Sequence, residues 1–138
     1  MSPTAIALLG FIGWALFLLV VIEVTRTKLV LFKQMQVTAF NPQNSNLSAF
    51  MQRLTRAHAN CIEGLPIFGG LMLVALVTGN AAITDGLALI FLAARIAQTL
   101  IHLLSLGSFS VTSRSVMFTV QTAIGCYWLY GLGYMALQ

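Results

Sequence analysis

Arg56-Ala57-His58-Ala59-Asn60-Cys61-Ile62-Glu63-Gly64-Leu65-Pro66 is the stretch on which the reading of this chain turns. Arg56, Asn60 and Glu63 stand at spacing i, i+4, i+7, which places two charges and an amide on one face of a helix. No charged residue occurs from Gly64 to Thr84, enough for the roughly 20 apolar residues that carry a helix across a bilayer. Ionisable groups at the edge of such a span are costly and mark a substrate or ion site.

The rest of the 138-residue chain has the same character. It is 59% hydrophobic and 7% charged, against roughly 25% charged in an ordinary soluble domain, and its mean hydropathy is +0.92. Ala5 to Ile22 and Ser115 to Gln138 carry no charge, and Gly86 to Ser113 is broken only by Arg95. The pattern predicts one all-α membrane domain with spans over about 4–32, 48–79, 83–106 and 114–137. Short connections imply an antiparallel four-helix bundle. Strand alternation is absent, which argues against a membrane barrel.

A net charge of +4 reads as topology, with the lipid bilayer as partner and no nucleic acid. Arg26, Lys28, Lys33, Arg53 and Arg56 fall between the first and second spans, and Arg114 between the third and fourth. The positive-inside rule puts these loops in the cytoplasm and both termini on the other side. Without a basic segment before it, the first span reads as an uncleaved anchor. A bacterial inner membrane is expected rather than the endoplasmic reticulum. Cys61 and Cys126 show no metal-ligand spacing and read as buried, inert thiols.

Asn41 to Asn46 is the clear loop cluster, Ser48 or Asn46 is the expected cap of the second helix, and Pro66 should kink that helix. Gly79-Asn80 and Asp85-Gly86 mark the outer turn. The third helix should reach Leu106, Gly107 to Ser113 reads as a polar loop, and the fourth helix should start near Ser113–Ser115. Gly10, Gly13, Gly125, Gly131 and Gly133 are small residues that let helices approach, and Trp14, Trp128 and the three tyrosines suit belt or packing roles.

Arg95, Gln98 and His102 form a second polar stripe, at i, i+3, i+7, and Arg114 begins the last span at the same level. Arg56, Arg95 and Arg114, with Lys33 nearby, would make a cationic pocket holding one carboxylate, Glu63. Such a pocket suits a small ligand with several carboxylates and one ammonium, since guanidinium groups fork onto carboxylates. The competing reading has Glu63 paired internally with Arg56 or Arg95 as helix-packing glue. One carboxylate cannot neutralise three arginines, so positive charge is left over for an anion. His58 turns away from the Asn60 face, and Glu23 with Arg26 at i+3 reads as an interfacial ion pair.

These residues resemble a known signature. Arg56 to Pro66 is similar to the Arg-Ala-x-x-Asn-x-x-Glu-x-x-Pro motif of the MAPEG family, membrane-associated proteins of eicosanoid and glutathione metabolism. Phe40-Asn41-Pro42 resembles the family's Asn-Pro-Glu-Asp loop, with Gln43-Asn44 in place of the acidic pair. Ala94 to Leu100 resembles its Ala-Arg-x-x-His-Thr stretch. Arg114-Ser115-Val116 with Thr119 resembles the start of helix four in the prostaglandin E synthase and microsomal glutathione transferase branches. Gln98 stands where relatives carry histidine or tyrosine, His102 where many carry tyrosine, and the interval from Arg95 to Arg114 is a few residues longer.

The resemblance implies a homotrimer with glutathione as co-substrate between neighbouring subunits. Arg56, Asn60 and Glu63 would hold the tripeptide backbone, Arg95 would contact a carboxylate, and His102 would pack against it. Lys33, nine residues before Pro42, would be a further basic ligand. Arg114 would face the thiol, with Ser115 as a hydrogen-bond candidate. The implied activity is conjugation of glutathione to a hydrophobic electrophile, with reduction of lipid hydroperoxides as a second reaction. Two other classes remain: a non-catalytic lipid-binding or scaffold member of the family, and a small four-span multidrug exporter using Glu23.

Overall fold

The computed structural model describes residues 1–104 and 107–138, without the side chains of 108–110. Helix α1 (Pro3–Leu31) starts at Ser2, whose Oγ accepts from the Ala5 N–H at 3.2 Å. Pro3 sits where its missing N–H is of no consequence. Helix α2 (Ala49–Gly64) is capped by Ser48, whose Oγ accepts from the Met51 N–H at 3.3 Å, one of the two caps expected. Helix α3 (Gly70–Val77) continues α2 after an intervening turn, and α4 (Ala82–Leu104) and α5 (Ser108–Ala136) complete the fold.

The turn between α2 and α3, Leu65–Gly69, is π-helical. Pro66 has no N–H to donate and its ring crowds the carbonyl four residues back, so the chain widens by one residue there. The expected kink at Pro66 is therefore a local change of helix type. After α3 the chain reverses at Gly79, with φ +73, a left-handed conformation that favours glycine. Gly79 N–H donates to the Leu76 carbonyl at 3.3 Å and Asn80 N–H to the Ala75 carbonyl at 2.8 Å, which satisfies the last carbonyls of α3.

One boundary differs from expectation. The stretch 107–113 is not a loop: α5 already begins at Ser108, and the Val111 N–H donates to the Gly107 carbonyl at 3.0 Å. Serine and threonine compete with the backbone for hydrogen bonds and so resemble loop residues, but no breaker follows Gly107 to stop the helix. The expected end of the third helix, Ser105–Leu106, lies outside the described residues.

Among the described residues, three helices are long and apolar enough to cross a membrane: Pro3–Leu31, Ala49–Val77 and Ala82–Leu104. The expected fourth span does not meet the same measure, although α5 is 29 residues long. Its threonines, Gln121, tyrosines and Trp128 lower its hydropathy. The Thr119 and Thr122 hydroxyls are nevertheless satisfied within the helix, donating to the carbonyls of Ser115 and Phe118 at 2.8 and 2.9 Å. The outward faces of the apolar helices remain uncovered, with Leu16, Phe17, Val20, Leu73, Val74, Leu89 and Ile90 exposed.

Helix α4 packs against α1, α2 and α5. An aromatic cluster occupies the centre, with Phe91 lying 5.7 Å from Phe11, 4.8 Å from Phe68 and 5.5 Å from Trp128 between ring centroids. Trp128 is fully buried and serves packing, while Tyr127, Tyr130 and Tyr134 are exposed. Glycine admits these side chains. A Cβ on Gly125 would come within 2.7 Å of the Phe68 ring, and one on Gly10 within 2.5 Å of Leu92. Gly131 likewise accommodates Ile83, whereas Gly13 and Gly133 face nothing within 4 Å.

At one end of the bundle the first turns of α1 and α4 are joined. Asp85 Oδ1 accepts from the Thr4 N–H at 3.0 Å and from the Thr4 hydroxyl at 2.6 Å, and Thr4 Oγ1 lies 2.6 Å from Thr84 Oγ1. A carboxylate on free N–H groups at a helix start is doubly favourable, through hydrogen bonding and the helix dipole.

At the other end, Asn44 is fully buried in the α1–α2 connection. Its Oδ1 accepts from Arg26 Nε and Nη2 at 3.0 and 2.6 Å, and its Nδ2 donates to Thr55 Oγ1 at 2.7 Å. Arg26 also reaches the Asn41 carbonyl at 3.1 Å.

Replacing Asp85 by alanine should lower stability by about 1–3 kcal/mol, read as a lower thermal midpoint in detergent, while Asp85→Asn, which keeps an acceptor, should lose less. Gly125→Ala should cost about 1–3 kcal/mol by overpacking against Phe68, seen in the same assay.

Candidate functional site

Two adjoining cavities lie where α2, the π turn, α4 and α5 meet. The first, of about 420 Å³, is walled by Ile67, Phe68, Leu71, Phe118 and Leu129, with Asn60, Glu63 and Arg95 as its ionic and amide groups. The second, of about 390 Å³, is polar and is lined by Asn60, Gln98, His102, Arg114, Ser115 and Thr119. Asn60 and Phe118 line both. The two are compartments of one trough, each large enough for part of a small ligand.

Arg95 dominates the first compartment. Its side chain is 1% exposed, and Nε, Nη1 and Nη2 have no hydrogen-bond partner. Aromatic faces hold it instead: the guanidinium carbon lies 5.3 Å from the Phe11 ring centre and 5.9 Å from that of Phe68. Cation–π contact of this kind offsets part of the desolvation of a buried cation. Gly64 makes the space, since a Cβ there would lie 2.7 Å from Arg95 Nη2. The glycine after Glu63 is thus a clearance for the arginine of the facing helix.

The competing reading, in which Glu63 neutralises this charge internally, is not what the described residues form. Among the described residues the one ion pair is Glu23–Arg26 at 3.6 Å, and Glu63 pairs with neither Arg56 nor Arg95. Glu63 is exposed at the mouth of the first compartment. Arg114 Nε, in the second compartment, is also buried without a partner. Both compartments therefore present guanidinium N–H groups that no protein acceptor satisfies, chemistry suited to an anionic ligand.

The candidate residues divide accordingly. Asn60, Glu63 and Arg95 come together in the apolar compartment, and Asn60, His102, Arg114 and Ser115 in the polar one. Arg56 and Lys33 line neither. Both are exposed, and Lys33 sits just after α1 with φ 55. A single pocket containing all four cations is not what one chain forms. His58, half-buried, also lines neither compartment, in agreement with its position off the Asn60 face.

Cys61 is buried, 3.7 Å from Thr99 Oγ1, as expected of an inert thiol. Cys126 departs from that expectation: it is exposed and lines the apolar compartment. It falls on the side of α5 that borders the open cavity, which hydrophobicity alone could not specify.

Glu23 is 60% exposed at its side chain, beside Arg26. The dominant partner of Arg26 is Asn44, which the sequence reading missed. Phe118 and Gln121 were missed as well. Gln121 carried a readable signal, being an amide inside an apolar stretch, while nothing in the local sequence set Phe118 apart.

No curated protein and no solved structure matches the chain significantly. A family model does, the MAPEG family, over residues 4–134. Nearly the whole chain is covered, including every residue of the trough, and the protein belongs to the MAPEG family.

Proposed function

We propose that this chain is a membrane glutathione transferase that joins the glutathione sulfur to hydrophobic electrophiles, with lipid hydroperoxide reduction as a second reaction. The observation carrying this reading is the pair of unsatisfied guanidinium groups, Arg95 and Arg114, set in adjoining compartments bridged by Asn60. Glutathione has two carboxylates, one ammonium and one thiol. The trough offers an acceptor for the ammonium at Glu63, donors for a carboxylate at Arg95, and an amide between them at Asn60. Its far end offers Arg114 with Ser115.

The chemistry supplied by the bound tripeptide is that of a nucleophilic sulfur. An ordinary cysteine thiol has a pKa of about 8.5 and is mostly protonated at neutral pH. Arg114 beside it would lower that value by about 1–3 units, making thiolate the main form. Ser115 would donate a hydrogen bond to the sulfur, and His102 would pack against the ligand. The remaining residues bind and orient, which is where most of the rate advantage of such a site arises. The apolar wall of Ile67, Leu71 and Leu129 gives an electrophile dissolved in the bilayer an approach to the trough.

In the assembly that accompanies this reading, α5 is a fourth membrane span, the bundle is antiparallel and three copies associate. Lys33 and Arg56, exposed and outside the lining of their own chain's compartments, would complete the site of an adjacent copy. Both termini lie on the non-cytoplasmic side, and a bacterial inner membrane is the proposed location. The Arg114-Ser115-Val116 stretch with Thr119 favours the microsomal transferase and prostaglandin E synthase branch.

Titrating purified protein with glutathione should produce the ultraviolet difference band of a bound thiolate. In Arg114→Ala the band should vanish and conjugation of a generic aromatic electrophile should fall by about 100-fold, the scale of losing one stabilising donor of developing charge. A scaffold protein would show neither band nor conjugation. An exporter would lose transport in Glu23→Gln, a change that should leave conjugation intact.

A further inference from the structure

Gln98 on α4 and Gln121 on α5 are both buried, the latter completely. Gln121 Nε2 donates to Gln98 Oε1 at 3.0 Å and to the Met117 carbonyl at 3.0 Å. Gln98 Nε2 reaches the Arg114 carbonyl at 3.5 Å. Arg114 and Gln121 are seven residues apart on α5, and so share a helix face.

A buried amide pair between apolar helices favours one register, because a one-residue slip would part Gln121 Nε2 from Gln98 Oε1 and leave the fully buried Gln121, whose Oε1 is already without a partner, with fewer hydrogen bonds still. Apolar ridges alone tolerate such slips far better. Register matters here because Arg114 rides on the same helix face as Gln121, so a slip of α5 along α4 would carry Arg114 away from Gln98 and His102. The amide contacts oppose that slip from inside the bundle.

We propose that the Gln98–Gln121 pair is a positioning device that locks α5 against α4 and thereby holds Arg114 at the polar compartment. The inference rests on Arg114 being the group that stabilises the glutathione thiolate. Gln121 lines neither compartment, so it acts through Gln98 and Arg114 and not on the ligand.

The test is the pH titration of the glutathione thiolate band, with steady-state kinetics, in the full-length protein and two variants. Gln121→Leu removes one partner. Gln98→Leu with Gln121→Leu removes both, leaves no orphaned amide and guards against a folding defect in the single variant. Both should raise the thiolate midpoint by about one pH unit and lower kcat about tenfold, with the KM for glutathione changed less than twofold in Gln121→Leu. An unchanged midpoint and kcat in either folded variant overturns the proposal. A lower thermal midpoint with thiolate titration and kcat retained reduces the pair to packing and overturns it too. Absence of the thiolate band from the unaltered protein is a different result, which overturns the transferase reading itself and the positioning role with it.

Discussion

A guanidinium group with no anion, buried at the junction of four helical segments, is the constraint around which this molecule is arranged. Arg95 is carried into the interior by α4 and is held by the faces of Phe11 and Phe68. Each neighbour has a consequence further out. Phe68 reaches the arginine because the π turn and Gly125 leave it room, and Gly64 is bare because a methyl group would meet Arg95 Nη2. Phe91 then ties Phe11, Phe68 and Trp128 into one cluster. Aromatic contact stabilises a cation by only about 0.5–2 kcal/mol, less than the several kcal/mol that desolvating an ion takes. On the proposed reading, an anionic ligand from outside the chain would make up the difference.

The three acidic residues show how little countercharge the protein keeps for itself. Asp85 joins the first turns of α1 and α4, far from the trough. Glu23 is exposed beside Arg26. Glu63 alone stands at the trough, and it is left without an internal ion pair. A chain that used its charges for packing would pair Glu63 with the nearest arginine. Keeping them apart suits a ligand that carries both signs of charge and so satisfies both ends at once.

Much of this was legible in the sequence, for identifiable reasons. Helix existence followed from uninterrupted apolar runs, and the stripes Arg56–Asn60–Glu63 and Arg95–Gln98–His102 followed from helical periodicity. What periodicity cannot give is the rotation of one helix about its axis relative to the next. That rotation sends Asn60, Glu63, Arg95, His102 and Arg114 to the trough and exposes Cys126, while Arg56, on the same face as Asn60 but a turn earlier on α2, lies outside the lining. The start of α5 was misread because Ser108 to Ser113 has the composition of a loop without any residue that prevents a helix. That α5 falls short of the apolarity of the other three long helices was not legible from its lack of charge, because its amide, hydroxyl and aromatic residues lower hydropathy without carrying charge. Gln98 and Gln121 were visible as isolated amides, but only tertiary structure shows that they meet.

Asn44 has a consequence that reaches beyond its hydrogen bonds. The α1–α2 connection is tethered to Arg26 through an amide oxygen and to Thr55 through the amide nitrogen of the same side chain. A carboxylate in that position would bind the guanidinium more strongly but would let go once acid protonated it. An amide has no such proton to gain. The strap is therefore built to stay fastened through acidification, with Arg26 held by a neutral amide and Glu23 as the one carboxylate beside it among the described residues.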